Sequence, residues 1–148
     1  MAQNSAFFNK MNEIQRRIPQ LAKRLPGVAK VEGLKFIADN FQKEGFEEKP
    51  GQYKKWKKKK AKGARKKVLV GEKRGGRLKR SWQQRSKAIG TRVEFVSQLP
   101  YAEVHNEGLK AGKPPGFTMP ERRMIGESDA LSERIEKKAD KMAKDIFY

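Results

Sequence analysis

The fold class depends on residues 77–97, RLKRSWQQRSKAIGTRVEFVS. In 91–96 apolar and polar side chains alternate, with Val93 and Phe95 on one face, which is typical of a β-strand. Residues 78–87 fit two patterns: Leu78 and Trp82 are four apart, as on one face of a helix, but they also belong to an alternating polar and apolar series. Because the intervening Ile-Gly pair can turn the chain, we predict a β-hairpin that pairs 78–87 with 91–97.

Amphipathic helices are predicted before this hairpin. Apolar side chains recur at three- and four-residue steps from Phe7 to Leu25 and again from Val28 to Phe41, as they do on one face of a helix. Pro19 and the Pro26-Gly27 pair are expected to divide this stretch into two helices. The second helix is expected to end before Gly45, which suits a left-handed cap.

A final helix is predicted after the hairpin, capped by Ser128 and carrying an apolar stripe from Leu131 to Ile146. The predicted fold class is therefore α+β: N-terminal helices, a small antiparallel sheet built on a β-hairpin, a C-terminal amphipathic helix and a long basic loop. We expect a single domain over 1–148, divided into a helical part (1–45), a basic loop or arm (49–76) and the hairpin with the last helix (77–148).

The charge is concentrated in one segment. Lys and Arg number 36 against 17 Asp and Glu, for a net charge of +19, and 19 of the basic residues lie between Lys49 and Arg92, opposed only by Glu72. We call residues 49–92 the cationic band; the rest of the chain is close to neutral. Such a band indicates a polyanionic partner, either nucleic acid or an acidic protein surface.

The centre of the band, Tyr53 to Lys67, has little apolar surface to offset the entropy of ordering, so we expect it to lie outside the core. Tyr53 and Trp56 among the lysines suggest stacking on bases while the cations track phosphates. The alternative is a solvated loop whose aromatic side chains pack back on the core. The candidate contact residues are Lys54, Lys55, Trp56, Lys57, Lys58, Lys59, Lys60, Lys62, Arg65, Lys66 and Lys67.

Catalytic chemistry finds no support in the sequence. There is no Cys, which excludes disulfides and thiolate metal sites. His105, between Glu103 and Glu107, is the single His; a metal site or a catalytic triad needs further partners, so we interpret it as structural. No Gly-Lys-Ser/Thr phosphate loop is present. We therefore expect no enzyme, no catalytic or metal-binding residues and no cofactor.

Membrane insertion and secretion are not indicated either. The N-terminus lacks the pattern of a signal peptide, and no apolar run approaches the roughly 20 residues that span a bilayer. We expect a soluble protein with no membrane partner.

Four pieces of sequence occur in a characteristic order: KVLVG followed by GRLKRSW, then YAEVHNEG, then MPERRMIGES, then the terminal amphipathic helix. This order resembles the tailed-phage virion morphogenesis proteins of the tail-completion or neck type, over roughly residues 34–147. The sequence departs from the family pattern at Met124, where Phe is usual, and at Gly75-Gly76, where Thr-Gly or Ser-Gly is commoner. The motif residues, for which the resemblance implies a structural role, are Leu78, Ser81, Tyr101, His105, Gly108, Pro120, Arg122 and Gly126.

The resemblance implies a structural virion protein that forms a ring, expected to be a hexamer of this chain, at the head–tail junction. Its neighbours would be a head-completion or connector protein and the tail tube, with genomic DNA in the channel as a further contact. It would be made in the cytoplasm of the host bacterium, and the ring of His105 would bond a backbone group in a turn. The alternative is a basic nucleic-acid-binding module that contacts DNA or RNA through residues 49–92; a ribosome-associated protein is a third hypothesis.

Overall fold

A computed structural model of the chain describes residues 2–58, 69 and 76–147. The fold is α+β, as predicted, with helices at both ends and, in the described residues, three small two-stranded antiparallel sheets between them. The elements are α1 (Ala2–Lys43), β1 (Gly45–Lys49), β2 (Gln52–Lys55), α2 (Arg77–Arg85), β3 (Lys87–Ile89), β4 (Arg92–Glu94), α3 (Pro100–Glu107), β5 (Lys110–Ala111), β6 (Phe117–Thr118) and α4 (Asp129–Phe147).

The N-terminal region is one helix rather than the two predicted. α1 continues through Pro19 and Pro26, although each proline removes a backbone donor at a cost of about 3 kcal/mol in a helix interior. Packing offsets the cost of the prolines, because α4 lies antiparallel along α1. An ion pair from Arg134 to Asp39 (2.7 Å) fixes one end of this pairing, and a 2.7 Å hydrogen bond from Arg17 Nη1 to the Ile146 carbonyl fixes the other.

α1 ends before Gly45, as predicted, but a different residue takes the left-handed conformation. Glu44, not Gly45, takes the left-handed conformation, with φ of 52°. Gly45 instead begins β1, where a Cβ atom would lie 3.0 Å from the Lys54 carbonyl oxygen on β2. The glycine is therefore required by the close approach of two strands.

The predicted long hairpin is wrong in its first half. Residues 77–85 form α2, and its buried residues Leu78, Ser81 and Trp82 have the three- and four-residue spacing of one helical face. Only the short strands β3 and β4 pair, with Ala88 opposite Val93. The helix also places Ser81 on the buried side with Leu78 and Trp82, whereas a strand would turn Ser81 to the opposite face.

Among the described residues two apolar clusters form the core, and α1 contributes to both. The first contains Ile37, Phe41, Trp56, Leu78, Trp82, Leu99, Ala102 and Met124, and the second contains Phe36, Phe46, Ala130 and Leu131. Because Phe36 and Ile37 are adjacent on α1, the two clusters flank the same part of this helix. The C-terminal third of α1 is therefore the central element of the fold.

The last helix begins as predicted. Ser128 Oγ accepts a 3.1 Å hydrogen bond from the Leu131 N–H and donates one of 2.5 Å to the Glu47 carbonyl. One hydroxyl thus caps α4 and fastens it to β1. No helix among the described residues has the length and apolarity needed to cross a membrane.

Candidate assembly and nucleic-acid interface

Two buried asparagines hold the backbone of the third sequence motif. Asn106 Oδ1 accepts hydrogen bonds from the N–H groups of Met124 (2.8 Å) and Ile125 (3.2 Å). From the other side, Asn40 Nδ2 donates a 3.0 Å bond to the Met124 carbonyl. Met124 is fully buried, so its peptide groups would be costly to leave unpaired. This double clamp fixes 124–125 between α1 and α3.

The second and third motifs meet at the end of α3. Gly108 caps this helix with φ of 66°, and a Cβ atom there would lie 3.0–3.1 Å from Cβ, Cα and N of Glu121. The Arg122 N–H donates a 2.8 Å bond to the His105 carbonyl. The glycine is therefore needed both for its left-handed conformation and for the approach of the second chain segment.

Arg122 and Trp56 tie the cationic band to the third motif. The Arg122 side chain is buried, and its Nε donates a 2.9 Å bond to the Lys57 carbonyl. Burial also lowers the pKa of Arg122 below its ordinary value. In parallel, the Trp56 indole N–H donates a 3.0 Å bond to the Arg123 carbonyl. Residues 56–57 are therefore held against residues 122–123 by two side chain–backbone bonds running in opposite directions.

Trp56 is not available to stack on bases. It is 5% exposed and packs edge-to-face on Phe41, with ring centroids 5.3 Å apart. The alternative interpretation, that an aromatic of the band packs back on the core, holds for this residue. The physical reason is that the indole ring gains a large apolar contact and a partner for its N–H at one position.

The band also begins with regular structure, where the sequence predicts a loop. Residues 52–55 form β2, which pairs with β1 so that Tyr53 lies opposite Glu47. Tyr53 is half-buried, and burial followed by the Glu47 charge raises its pKa above 10.0. The strand forms because its partner β1 is already anchored in the core by Phe46.

The lysines near the start of the band are exposed. Lys54, Lys55, Lys57 and Lys58 all lie on the surface, and Lys55 Nζ donates a 2.8 Å bond to the Lys43 carbonyl. Lys57 and Lys58 line a cavity of about 360 Å³, together with Phe117–Pro120 and Arg122. The remaining candidates, Lys59, Lys60, Lys62, Arg65, Lys66 and Lys67, lie outside the described residues.

His105 is half-buried in a place without catalytic partners among the described residues. Burial, reinforced by the Arg122 charge, lowers its pKa below 6.5. The expected bond from its ring to a backbone group is not seen, because its buried Nδ1 has no partner in the described part of the chain; the backbone carbonyl makes the structural bond instead. The same part of the chain contains no cluster of His, Asp and Glu able to hold a metal ion.

The other motif residues are spread over the fold. Leu78 lies in the first core cluster, and Ser81 Oγ donates a 2.6 Å bond to the Leu78 carbonyl and lies 2.5 Å from Ser97 Oγ. Pro120 and Gly126 are half-buried, whereas Tyr101 is exposed with its ring against His105. These residues do not converge on one pocket; most of them join separate segments of the chain.

Sequence reasoning missed Asn40 and Asn106, although each carried a signal. Asn40 interrupts the apolar face of α1 between Ile37 and Phe41, and Asn106 lies within a short helix. Asn is disfavoured in helix interiors because its amide competes for backbone bonds. A buried helical Asn is therefore a sign that its amide pairs with a backbone elsewhere.

All the motif residues lie within a region that matches a known protein family. A model of the phage virion morphogenesis family matches residues 38–143, which extend from the end of α1 through most of α4 and contain nearly all of the core. Comparisons with curated proteins and with solved structures give no match. The chain belongs to the phage virion morphogenesis family.

Proposed function

We propose that this protein is a structural, non-enzymatic component of the head–tail junction of a tailed phage, where it forms a ring that completes the tail and joins it to the head. The observation that carries this proposal is the family match over residues 38–143. The geometry is in keeping with it, because the polar atoms of Asn106, Arg122 and Ser81 bond other segments of the chain. Such groups make a rigid building block.

The proposed partners are further copies of this chain, expected to number six in the ring, with a connector or head-completion protein on one side and the tail tube on the other. Exposed apolar side chains support stacking contacts of this kind, since they mark interaction surfaces when they occur together. Leu109 precedes β5 and Phe117 begins β6, and both side chains are exposed. We place the protein in the virion after its synthesis in the host cytoplasm.

The cationic band is proposed to face the DNA that passes through this ring. The supporting observation is that Lys57 and Lys58 are exposed beside the buried Arg122, and Lys54 is exposed on the neighbouring strand β2. Clustered cations on a surface bind phosphates through counterion release, without sequence preference. The second candidate function, an independent nucleic-acid-binding module, rests on the same lysines.

The two functions give different results in solution. An independent binding module should hold duplex DNA at physiological salt, with log K falling steeply against log [salt]. A ring component whose lysines act only inside the assembly should bind isolated DNA weakly at that salt. The measurement is a titration of labelled duplex DNA at several salt concentrations.

The main proposal is tested by deleting the gene from the phage that encodes it. We expect filled heads and free tails that do not join, and joining should be restored when the purified protein is added to a mixture of the two. Complete, infective particles that lack the protein would refute the proposed role.

A further inference from the structure

The N-terminal part of α1 extends beyond the body of the molecule. α4 accompanies α1 only as far as Arg17, which bonds the Ile146 carbonyl. Residues 5–18, which we call the arm, are mostly exposed. The arm nevertheless carries large apolar side chains: Phe7 and Phe8 are 61% and 62% exposed, and Ile18 is 50% exposed.

The exposed side chains of the arm form an apolar stripe accompanied by basic residues. Phe7, Met11, Ile14 and Ile18 follow one another at steps of four, three and four residues, so they lie along one face of the helix. Basic residues outnumber acidic ones on the arm, with Lys10, Arg16 and Arg17 against Glu13. The arm therefore suits a groove that has an apolar floor and an acidic rim.

The same chain contains such a groove. A cleft of about 580 Å³ lies between α2, the β4–α3 connection and α3, with Trp82, Phe95 and Leu99 among its apolar lining. Glu103 and Glu107 are the charged residues that line it, and no Lys or Arg does so among the described residues. Glu107 is paired with Arg123, whereas Glu103 has no ion pair within the described part of the chain. The rim of the groove is therefore acidic, although the protein as a whole is strongly basic.

An arm cannot reach the groove of its own molecule. The Phe95 ring, which lines the groove, packs directly on Gly33, where a Cβ atom would lie 2.1 Å from Cζ. Along a helix with a rise of 1.5 Å per residue, Arg16 is about 25 Å from Gly33 and Phe7 is about 39 Å away. Because α1 is a continuous helix, it does not fold back over this distance.

We propose that the arm of each molecule docks in the groove of a neighbouring copy, with its apolar stripe on the groove floor and its basic residues facing Glu103. This contact is heterologous, since it joins two different surfaces, and repeated contacts of that kind close into a ring when the rotation allows. The inference rests on the proposed ring and names the contact that builds it. The arm precedes residue 38, where the family match begins, whereas the groove lies within the matched residues.

Site-specific cross-linking tests the contact directly, because the chain has no Cys. Met11 lies on the apolar stripe of the arm, and Val96 is 39% exposed in the groove lining. We expect a Met11→Cys and Val96→Cys double variant, treated with a short bismaleimide, to give a ladder of multimers on a denaturing gel. The matched control pairs Val96→Cys with Asn9→Cys on the opposite face of the arm, and it should give no ladder.

The other outcomes overturn the proposal. A dimer from Met11→Cys alone would mean that arms pair with one another, and an internal cross-link without multimers would mean that the arm reaches its own groove. Binding to anionic lipid vesicles that depends on the arm, in a protein whose assembly does not need it, would assign the arm to a lipid surface. In each case the ring itself would still stand.

Reversal of charge provides a second test. Glu103→Lys should weaken self-association, measured by sedimentation velocity, and adding Lys10→Glu should restore it at least in part; the exposed Glu136→Lys serves as the control. If a protein without residues 2–16 still assembles as the full chain does, the arm contact is refuted while the ring proposal stands. If the full chain does not self-associate and is absent from purified virions, the proposed function fails instead.

Discussion

The amide of Asn106 is expected to be among the most important polar groups for stability. We predict that Asn106→Ala destabilises the protein strongly, although it removes little apolar surface. The reason is the position of its oxygen, which accepts the N–H groups of both Met124 and Ile125. Alanine leaves both donors without a partner.

The expected loss follows from the burial of these two donors. An unpaired buried N–H costs about 1–3 kcal/mol. The Met124 donor is fully buried, and the Ile125 donor is only partly so; water can relieve the second, which gives about 2–4 kcal/mol in total. For a chain of this size that corresponds to a fall in Tm of about 4–16 °C, against a total stability on the order of 5–15 kcal/mol.

The assay is urea unfolding followed by circular dichroism, with Asn12→Ala on the exposed face of α1 as the matched control. The control should change the free energy of unfolding by no more than about 0.5 kcal/mol. Because Asn40 bonds the carbonyl of the same Met124 residue, a double-mutant cycle of Asn40→Ala and Asn106→Ala should be non-additive by about 0.5–3 kcal/mol. An Asn106→Ala variant as stable as the control, or strictly additive losses, would refute the clamp.

Three further predictions concern the cap of α3, a titrating side chain and the cationic band. Gly108→Ala should lower the free energy of unfolding by at least about 1–3 kcal/mol, since it forces a side chain into a left-handed conformation. The control Gly27→Ala, at a position with open space around it in α1, should raise the free energy of unfolding by up to about 1 kcal/mol. Equal effects of the two substitutions in thermal melts would contradict this prediction. The pKa of His105 is lowered in the folded protein, so the stability contributed by its neutral ring is complete above pH 6.5 and is lost as the pH falls below that value. His105→Gln should therefore flatten the dependence of the unfolding free energy on pH below pH 6.5. An unchanged slope in the variant would count against this prediction. Replacing Lys57 and Lys58 with Ser should leave Tm nearly unchanged. It should reduce the slope of log K against log [salt] for duplex DNA binding by about 0.9 for each phosphate that the variant no longer neutralises. A large fall in Tm would show instead that these side chains support the fold.

The features that the sequence predicted correctly are those set by local pattern. The last helix follows from the apolar stripe beginning at Leu131, and its start follows from the Ser128 cap. The turn at Gly90 is also where it was expected. In each of these cases the residues that determine the structure are close together in the chain, so periodicity and capping rules suffice.

The features that could not be predicted depend on contacts between distant residues. Residues 78–85 satisfy helical and strand periods equally, and the choice is made by a core that includes Phe41 and Met124. Pro26 remains helical because it is buried in a helix that packs along α4. A local rule gives the cost of each proline, but it does not give the packing energy that offsets it.

The core anchors the described parts of the cationic band, and this affects how the charges of those parts can bind a partner. Trp56 and Leu78 belong to the same core cluster, so the segment between them starts and finishes against one apolar surface. Lys57 is further fixed by the bond from Arg122 to its carbonyl. Cations that are positioned in advance lose less entropy when they meet phosphates or carboxylates than cations on a free tail. The bonds at residues 56–57 fix the position of Lys57 relative to the matched core, a property that the proposed ring would use to line a channel or to meet a neighbouring ring.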